Sequence, residues 1–237
     1  MDIIIKETEQ IIADYMSDRI LEHLKQDHLI TLASGDTVLE TYRLLVKKYQ
    51  AAPFPIKATI VNLDEWVGLD RNDRGGCQYH MYNDLYDYLN IPEDQLYVFD
   101  AKAQDLNQAC KAMDDRIGDR TFDFVLLGIG MNGHLALNEP GCSFENKAFH
   151  TELSDTTKVV MKKYFDEEKT ITQGISLGIR YFVESKELVL MATGTRKHDI
   201  CNEIIRSEVT NQLPATSAKL SKHAELFMDL DCYLGNE

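Results

Sequence analysis

A chain of 237 residues, 44% hydrophobic and 27% charged, has the size and make-up of a soluble globular protein with a sizeable core. A net charge of −14 argues against nucleic acid as the main partner, because phosphate backbones call for clustered Lys and Arg. Met1-Asp2 opens acidic, residues 3–5 are too short for a secretory core, and no apolar run approaches membrane-spanning length, so neither signal peptide nor membrane partner is expected.

Five cysteines, Cys77, Cys110, Cys142, Cys201 and Cys232, are odd in number, widely spaced and without a CxxC pair. They predict buried or idle thiols in a reducing cytoplasm, with no zinc pattern.

In chain order, residues 8–25 carry one apolar stripe and predict an amphipathic helix. Residues 29–33 read as a buried strand. Ser34-Gly35-Asp36-Thr37 follows, then a helical pattern that starts at Thr37, where Thr37 and Glu40 have capping-box spacing. Pro53 and Pro55 break the chain before a strand over 56–63 that runs straight into Asp64-Glu65. Residues 71–76 are a loop, and 77–89 and 103–117 are helices. A strand over 122–127 leads into a glycine-rich polar segment ending at Pro140 and Gly141. Residues 141–185 mix short apolar pieces with charge, including Lys158, Lys162, Lys163 and the run 166–169, and carry no clear period. A strand over 188–192, a Gly194-Thr195 turn, another helix and a last strand near 226–228 complete the chain.

Strands that alternate with helices predict an α/β fold: doubly wound, a mostly parallel sheet with helices on both faces, Rossmann-like, one domain over residues 1–237. Right-handed crossovers then bring the loops 34–37, 64–68, 128–139 and 194–197 to one edge of the sheet.

Those loops carry the candidate chemistry. Gly128-Ile-Gly130-Met-Asn132-Gly133 matches the GxGxxG dinucleotide pattern, but Pro140 leaves no room for the helix that pattern needs, so no nicotinamide cofactor is expected. The turn 34–37 is either a phosphate cradle or a plain helix cap at Thr37. Arg196, Lys197 and His198 fall in the first turn of a helix, where cations oppose the helix dipole; a bound anion resolves that conflict. Of Asp64 and Glu65, strand alternation lets only one face a given pocket, and a partly buried carboxylate there is a competent base near neutrality. His134, five residues before Glu139, has a carboxylate at hand to hold one tautomer.

Asn62-Leu-Asp64-Glu65-Trp66-Val-Gly68-Leu and Gly128-Ile-Gly130-Met-Asn132-Gly133-His134-Leu-Ala-Leu-Asn138-Glu139-Pro140 resemble the glucosamine-6-phosphate deaminase (isomerase) family, in matching order over nearly the whole chain. The resemblance implies a metal-free, cofactor-free isomerisation and deamination, acting on the carbon–nitrogen bond of a 2-amino-2-deoxy-hexose 6-phosphate. Glucosamine 6-phosphate would give fructose 6-phosphate, or galactosamine 6-phosphate tagatose 6-phosphate, with ammonia released. It implies that His134 opens the sugar ring, that Asn132 and Glu139 orient it, and that Asp64 carries a proton from C2 to C1. Ser34, Gly35, Asp36, Thr37, Gly130 and Lys197 would bind the substrate and its phosphate.

Three features depart from the family pattern. Asp36 stands in place of a glycine and Val38 of a proline in the phosphate turn, Asn132 replaces an aspartate found in some members, and residues 141–152 lack an arginine used for phosphate or effectors. The related 6-phosphogluconolactonases are the second reading; they carry an arginine after Asp-Glu, where this chain has Trp66. A non-catalytic sugar-phosphate sensor domain is the third. Monomer and homo-oligomer both remain open.

Overall fold

The computed structural model describes residues 1–165 and 170–235. Its strands are β1 (Asp2–Lys6), β2 (Leu29–Leu32), β3 (Thr59–Asn62), β4 (Asp64–Trp66), β5 (Leu96–Tyr97), β6 (Phe124–Gly128), β7 (Phe149–Glu152), β8 (Gln173–Ser176), β9 (Leu188–Ala192) and β10 (Ala224–Asp229). Its helices are α1 (Glu9–Leu24), α2 (Leu39–Ala51), α3 (Cys77–Asp84), α4 (Leu106–Ile117), α5 (Asp155–Met161), α6 (Ile179–Val183), α7 (His198–Arg206) and α8 (Leu230–Leu234).

Seven strands form one parallel sheet in the order β1-β10-β9-β6-β2-β3-β5. Every residue of β2, β3 and β9 is buried, which is why these segments read as unbroken apolar runs rather than alternating ones. From β1 the chain steps one way to β2, β3 and β5, then returns through β6, β9 and β10. Right-handed crossovers therefore place α1 and α2 on one face and α7 on the other. The direction reverses between neighbours β2 and β6, and an open α/β sheet has its crevice at that point, beyond the carboxyl ends of the strands.

α1 follows its predicted stripe: Ile12, Met16, Ile20 and Leu24 are all fully buried, and Thr8 caps the start by accepting from the Ile11 N–H. α4 begins at Leu106, three residues later than predicted, because Asp105 takes the cap position and accepts from Asn107 and Gln108.

Several expectations need correction. Thr37 is not a helix cap; Asp36–Val38 is a 3₁₀ turn, α2 starts at Leu39, and Glu40 pairs with Arg43 instead. α3 stops at Asp84 and a separate 3₁₀ turn, Tyr86–Tyr88, completes the predicted helix. The single strand expected over 56–63 splits. β3 ends at Asn62, and β4 begins a second, antiparallel sheet of order β4-β8-β7. The bend is bonded on both sides: the Asn62 amide donates to the Asp64 carbonyl at 2.7 Å, and the Leu63 carbonyl accepts from Leu177 at 2.9 Å. The unassigned stretch 141–185 supplies β7, α5, β8 and α6. Its charged run 166–169 lies outside the described residues. Under the small sheet, Trp66, Leu69, Cys77, Leu137, Leu153, Met161 and Ile171 form an apolar cluster of their own.

Among the described residues, no helix is long and apolar enough to cross a membrane.

Candidate active site

A cleft of about 960 Å³ opens at the carboxyl edge of the parallel sheet. Residues from all four expected loops line it: Ser34, Gly35, Asp36 and Thr37; Asp64 and Trp66; Gly130 and His134; Thr195, Arg196 and Lys197. A fifth segment, α5 with the 3₁₀ turn Lys162–Tyr164, also lines it, through Thr157, Lys163 and Tyr164 among others.

Two of its walls share one construction. After β2 and again after β9, a glycine at positive φ (Gly35, +103°; Gly194, +77°) turns the chain into a 3₁₀ turn and then a helix. A side-chain-bearing residue adopts that φ only with strain. Such turns at helix starts suit an anion; after β9 the Gly194 N–H donates to the Asp229 carboxylate at 3.0 Å, and Asp229 also lines the cleft. Lys197, half-buried, donates from Nζ to the carbonyl of Ile129, and burial lowers its pKa. Lys163 also acts on Lys197 electrostatically, so two cations share the site. Lys163 carried no signal in the sequence, because its segment has no period; only its place beside the first turn reveals it. There it pairs with Asp36, Nζ to carboxylate 2.6 Å. The carboxylate that replaces a family glycine is thus neutralised by this partner.

Strand alternation separates Asp64 from Glu65. Glu65 is fully buried and accepts three backbone N–H bonds, from Trp66 at 2.7 Å, Cys77 at 2.9 Å and Gln78 at 2.7 Å. It anchors β4 to the start of α3. Burial pushes its pKa up to about 7, with those three bonds working against the shift. Asp64 is the one that faces the cleft. It is 7% exposed, and burial, reinforced by the Glu65 charge, pushes it up to about 7. A carboxylate so placed can take a proton from carbon and return it at neutral pH.

The loop after β6 presents His134. Its imidazole lies so close to Gly130 that a Cβ there would come within 2.4 Å of the ring. Gly130 therefore makes room for His134 as well as lining the cleft. Behind the ring, His134 Nδ1 lies 3.7 Å from Glu139 and 3.4 Å from the Thr157 hydroxyl. Glu139 is buried and accepts from the Asn132 amide at 3.0 Å and the Ser154 N–H at 3.3 Å, while Asn132 Oδ1 accepts from the His134 N–H at 3.2 Å. Asn132 and Glu139 thus brace His134 from behind. Burial lowers the His134 pKa, with Glu139 opposing and Lys197 assisting, so the ring is neutral near pH 7. Asn138, fully buried, donates to the carbonyls of Leu135 and Leu177 and pins the loop to the end of β8. Ala136, at φ +53°, is the one described non-glycine residue with positive φ, and it lines the cleft.

The cysteines are free thiols. Cys201 and Cys232, distant in sequence, bring their sulfurs to 3.7 Å, which their spacing did not foretell.

Fold and cleft define a class: α/β proteins with a cleft at the switch point of a parallel sheet. The chain belongs to the family described as glucosamine-6-phosphate isomerases/6-phosphogluconolactonase, whose model matches residues 4–228. It is 33% identical to a glucosamine-6-phosphate deaminase of Bacillus pumilus over 86% of each chain. It is 32% identical to one of Halalkalibacterium halodurans over 90% of this chain and 87% of that one. A monomeric glucosamine-6-phosphate deaminase of known structure superimposes with a TM-score of 0.91 at 25% identity, covering 98% of both chains. A 6-phosphogluconolactonase of Trypanosoma brucei shares the fold, with a TM-score of 0.75 at 18% identity over 98% of this chain and 97% of that one.

Proposed function

We propose that this protein isomerises and deaminates glucosamine 6-phosphate, giving fructose 6-phosphate and ammonia. The observation that carries the reading is one cleft lined by a carboxylate base, a braced neutral imidazole and lysines at two anion-binding turns. The phosphate sits at the turns 34–37 and 194–197, held by backbone N–H groups, Ser34, Thr37 and Lys197, with Lys163 alongside. Gly130 borders the sugar. His134 takes the O1 proton of the cyclic sugar and returns it to the ring oxygen, which frees the C1 aldehyde. Glu139 and Asn132 keep its ring aimed and Glu139 stabilises the imidazolium that forms.

Asp64 then removes the C2 proton, made acidic by the C1 carbonyl. The electrons form a C1–C2 double bond while the substrate's ammonium passes a proton to the C1 oxygen, so the intermediate carries a C1 hydroxyl and a C2 amine. Asp64 gives the proton to C1, leaving a C2 iminium. Water adds to that carbon and ammonia leaves, so the net reaction consumes one water. Proton shuttling between adjacent carbons needs a base of pKa near the working pH, which burial supplies.

Trp66 beside the base, in place of the lactonase arginine, and the deaminase relatives support this reading over lactone hydrolysis. A charged sugar phosphate, which does not cross membranes unaided, suits a cytoplasmic setting. The test is ammonia release from glucosamine 6-phosphate and galactosamine 6-phosphate side by side, with acid production from 6-phosphogluconolactone measured in parallel. Ammonia from the glucosamine substrate is expected. Acid from the lactone without ammonia would select the lactonase, ammonia mainly from the galactosamine substrate would change the sugar, and binding without product would leave a sensor.

A further inference from the structure

We propose that Tyr164 is a direct ligand of the substrate phosphate, its hydroxyl donating to a phosphate oxygen while the His80 ring fixes its position. The inference rests on the phosphate-anchored reading above and adds a neutral donor to a site otherwise built from backbone N–H groups and lysines.

Tyr164 closes the 3₁₀ turn that follows α5. Its hydroxyl reaches over the first glycine turn: a Cβ built on Gly35 would lie 3.4 Å from Tyr164 Oη. The hydroxyl therefore lies beside Gly35, at the head of the turn whose N–H groups suit an anion. Among the described residues the N–H groups of residues 35–37 have no acceptor in the protein. The neighbouring residue, Lys163, reaches the same turn at Asp36. Two consecutive side chains of one segment thus converge on the first glycine turn. A phenol there donates without adding charge, and burial raises its pKa, so it keeps its proton throughout the working range.

The ring is held from below. His80, on α3, also lines the cleft and meets Tyr164 edge to face, with ring centres 5.5 Å apart. Among the described residues, the buried His80 Nε2 has no hydrogen-bond partner. The imidazole packs against Tyr164 and its neighbour Tyr79, ring centres 5.7 Å apart for the latter, with Nδ1 3.7 Å from Asp84. His80 acts through Tyr164 and is a positioning residue.

The experiment removes one oxygen. Tyr164→Phe keeps the ring and its contact with His80. Calorimetric titration with inorganic phosphate and steady-state kinetics with glucosamine 6-phosphate are run on wild type, Tyr164→Phe, His80→Phe and His80→Ala. Tyr164→Phe is expected to weaken phosphate binding roughly tenfold, the size expected when a hydrogen bond to a charged group is lost. The Michaelis constant should rise by a similar factor with turnover within about twofold, as for a contact made equally in ground and transition states. His80→Phe, which preserves the packing surface, should bind phosphate like wild type, and His80→Ala should resemble Tyr164→Phe. Unchanged phosphate affinity in Tyr164→Phe would overturn the proposal, as would a wild type that binds no phosphate. Wild type that binds phosphate but releases no ammonia would overturn the deaminase reading alone, and the affinity of Tyr164→Phe would still decide this one.

Discussion

Lys163 and Asp36 meet at the cleft, Nζ to carboxylate 2.6 Å, and tie the segment after α5 to the turn 34–37. Both side chains are about half exposed, so the pair itself adds little stability. Its consequence is local: a negative charge stands beside an anion site and occupies a cation that the anion could use. Asp36→Asn removes the charge and frees Lys163. Phosphate affinity is expected to rise about two- to fivefold, with a matching fall in the Michaelis constant, and the gain should shrink in high salt. Titration with inorganic phosphate at two ionic strengths checks it; weaker binding would show that Asp36 holds the substrate instead.

Asp64 and Glu65 are neighbours with separate duties, and substitution should tell them apart. Glu65→Ala strands three buried N–H donors and should cost about 3 kcal/mol of folding stability. Asp64→Asn should do the reverse. The folded-state pKa of Asp64 is raised, so the stability it contributes is full below its unfolded value and is lost as pH rises through about 7. Removing the ionisable group should then stabilise the protein by on the order of 4 kcal/mol at pH 8, with the difference narrowing toward pH 4. Thermal melts of both variants at the two pH values provide the check.

In the proposed mechanism the same carboxyl sets the acid side of the rate profile. Asp64 works as a base only when ionised, and its pKa is about 7. The value of kcat/KM should rise with pH through about 7 and level off above it. Burial holds His134 below its ordinary value as well, which favours its neutral form at the upper end of that range. A rate that is flat from pH 5 to 8 would show that Asp64 is ionised throughout, or is not the base.

Lys197→Ala should raise the Michaelis constant roughly tenfold or more while turnover stays within a few-fold, since a phosphate anchor grips ground and transition states alike. Its Nζ also binds the Ile129 carbonyl, so Lys197→Arg serves as the control for loop disruption.

Much of this was legible in the sequence because it depends on patterns that burial imposes. β2, β6 and β9 lie in the middle of a parallel sheet and are apolar on both sides, so each announced itself, together with the polar turn at its end. The change of sheet at Leu63 was hidden, because residues before and after it are equally buried and no glycine or proline marks the bend. β1 escaped notice because an edge strand of five residues carries little signal. The division between Asp64 and Glu65 depends on where α3 begins, and the pairing of Asp36 depends on a segment 127 residues away. Lys163 and Tyr164 lie in a stretch whose short elements show no period, so their place in the cleft emerges only from the packed chain.

The most direct measurement compares ammonia release from glucosamine 6-phosphate by wild type and by Asp64→Asn, with phosphate binding as the control for an intact site. Wild type should release ammonia and ketose phosphate in equal amounts, and the variant should lose about a thousandfold in turnover while binding phosphate normally. A wild type that makes no ammonia, or a variant that works at full rate, would contradict the account.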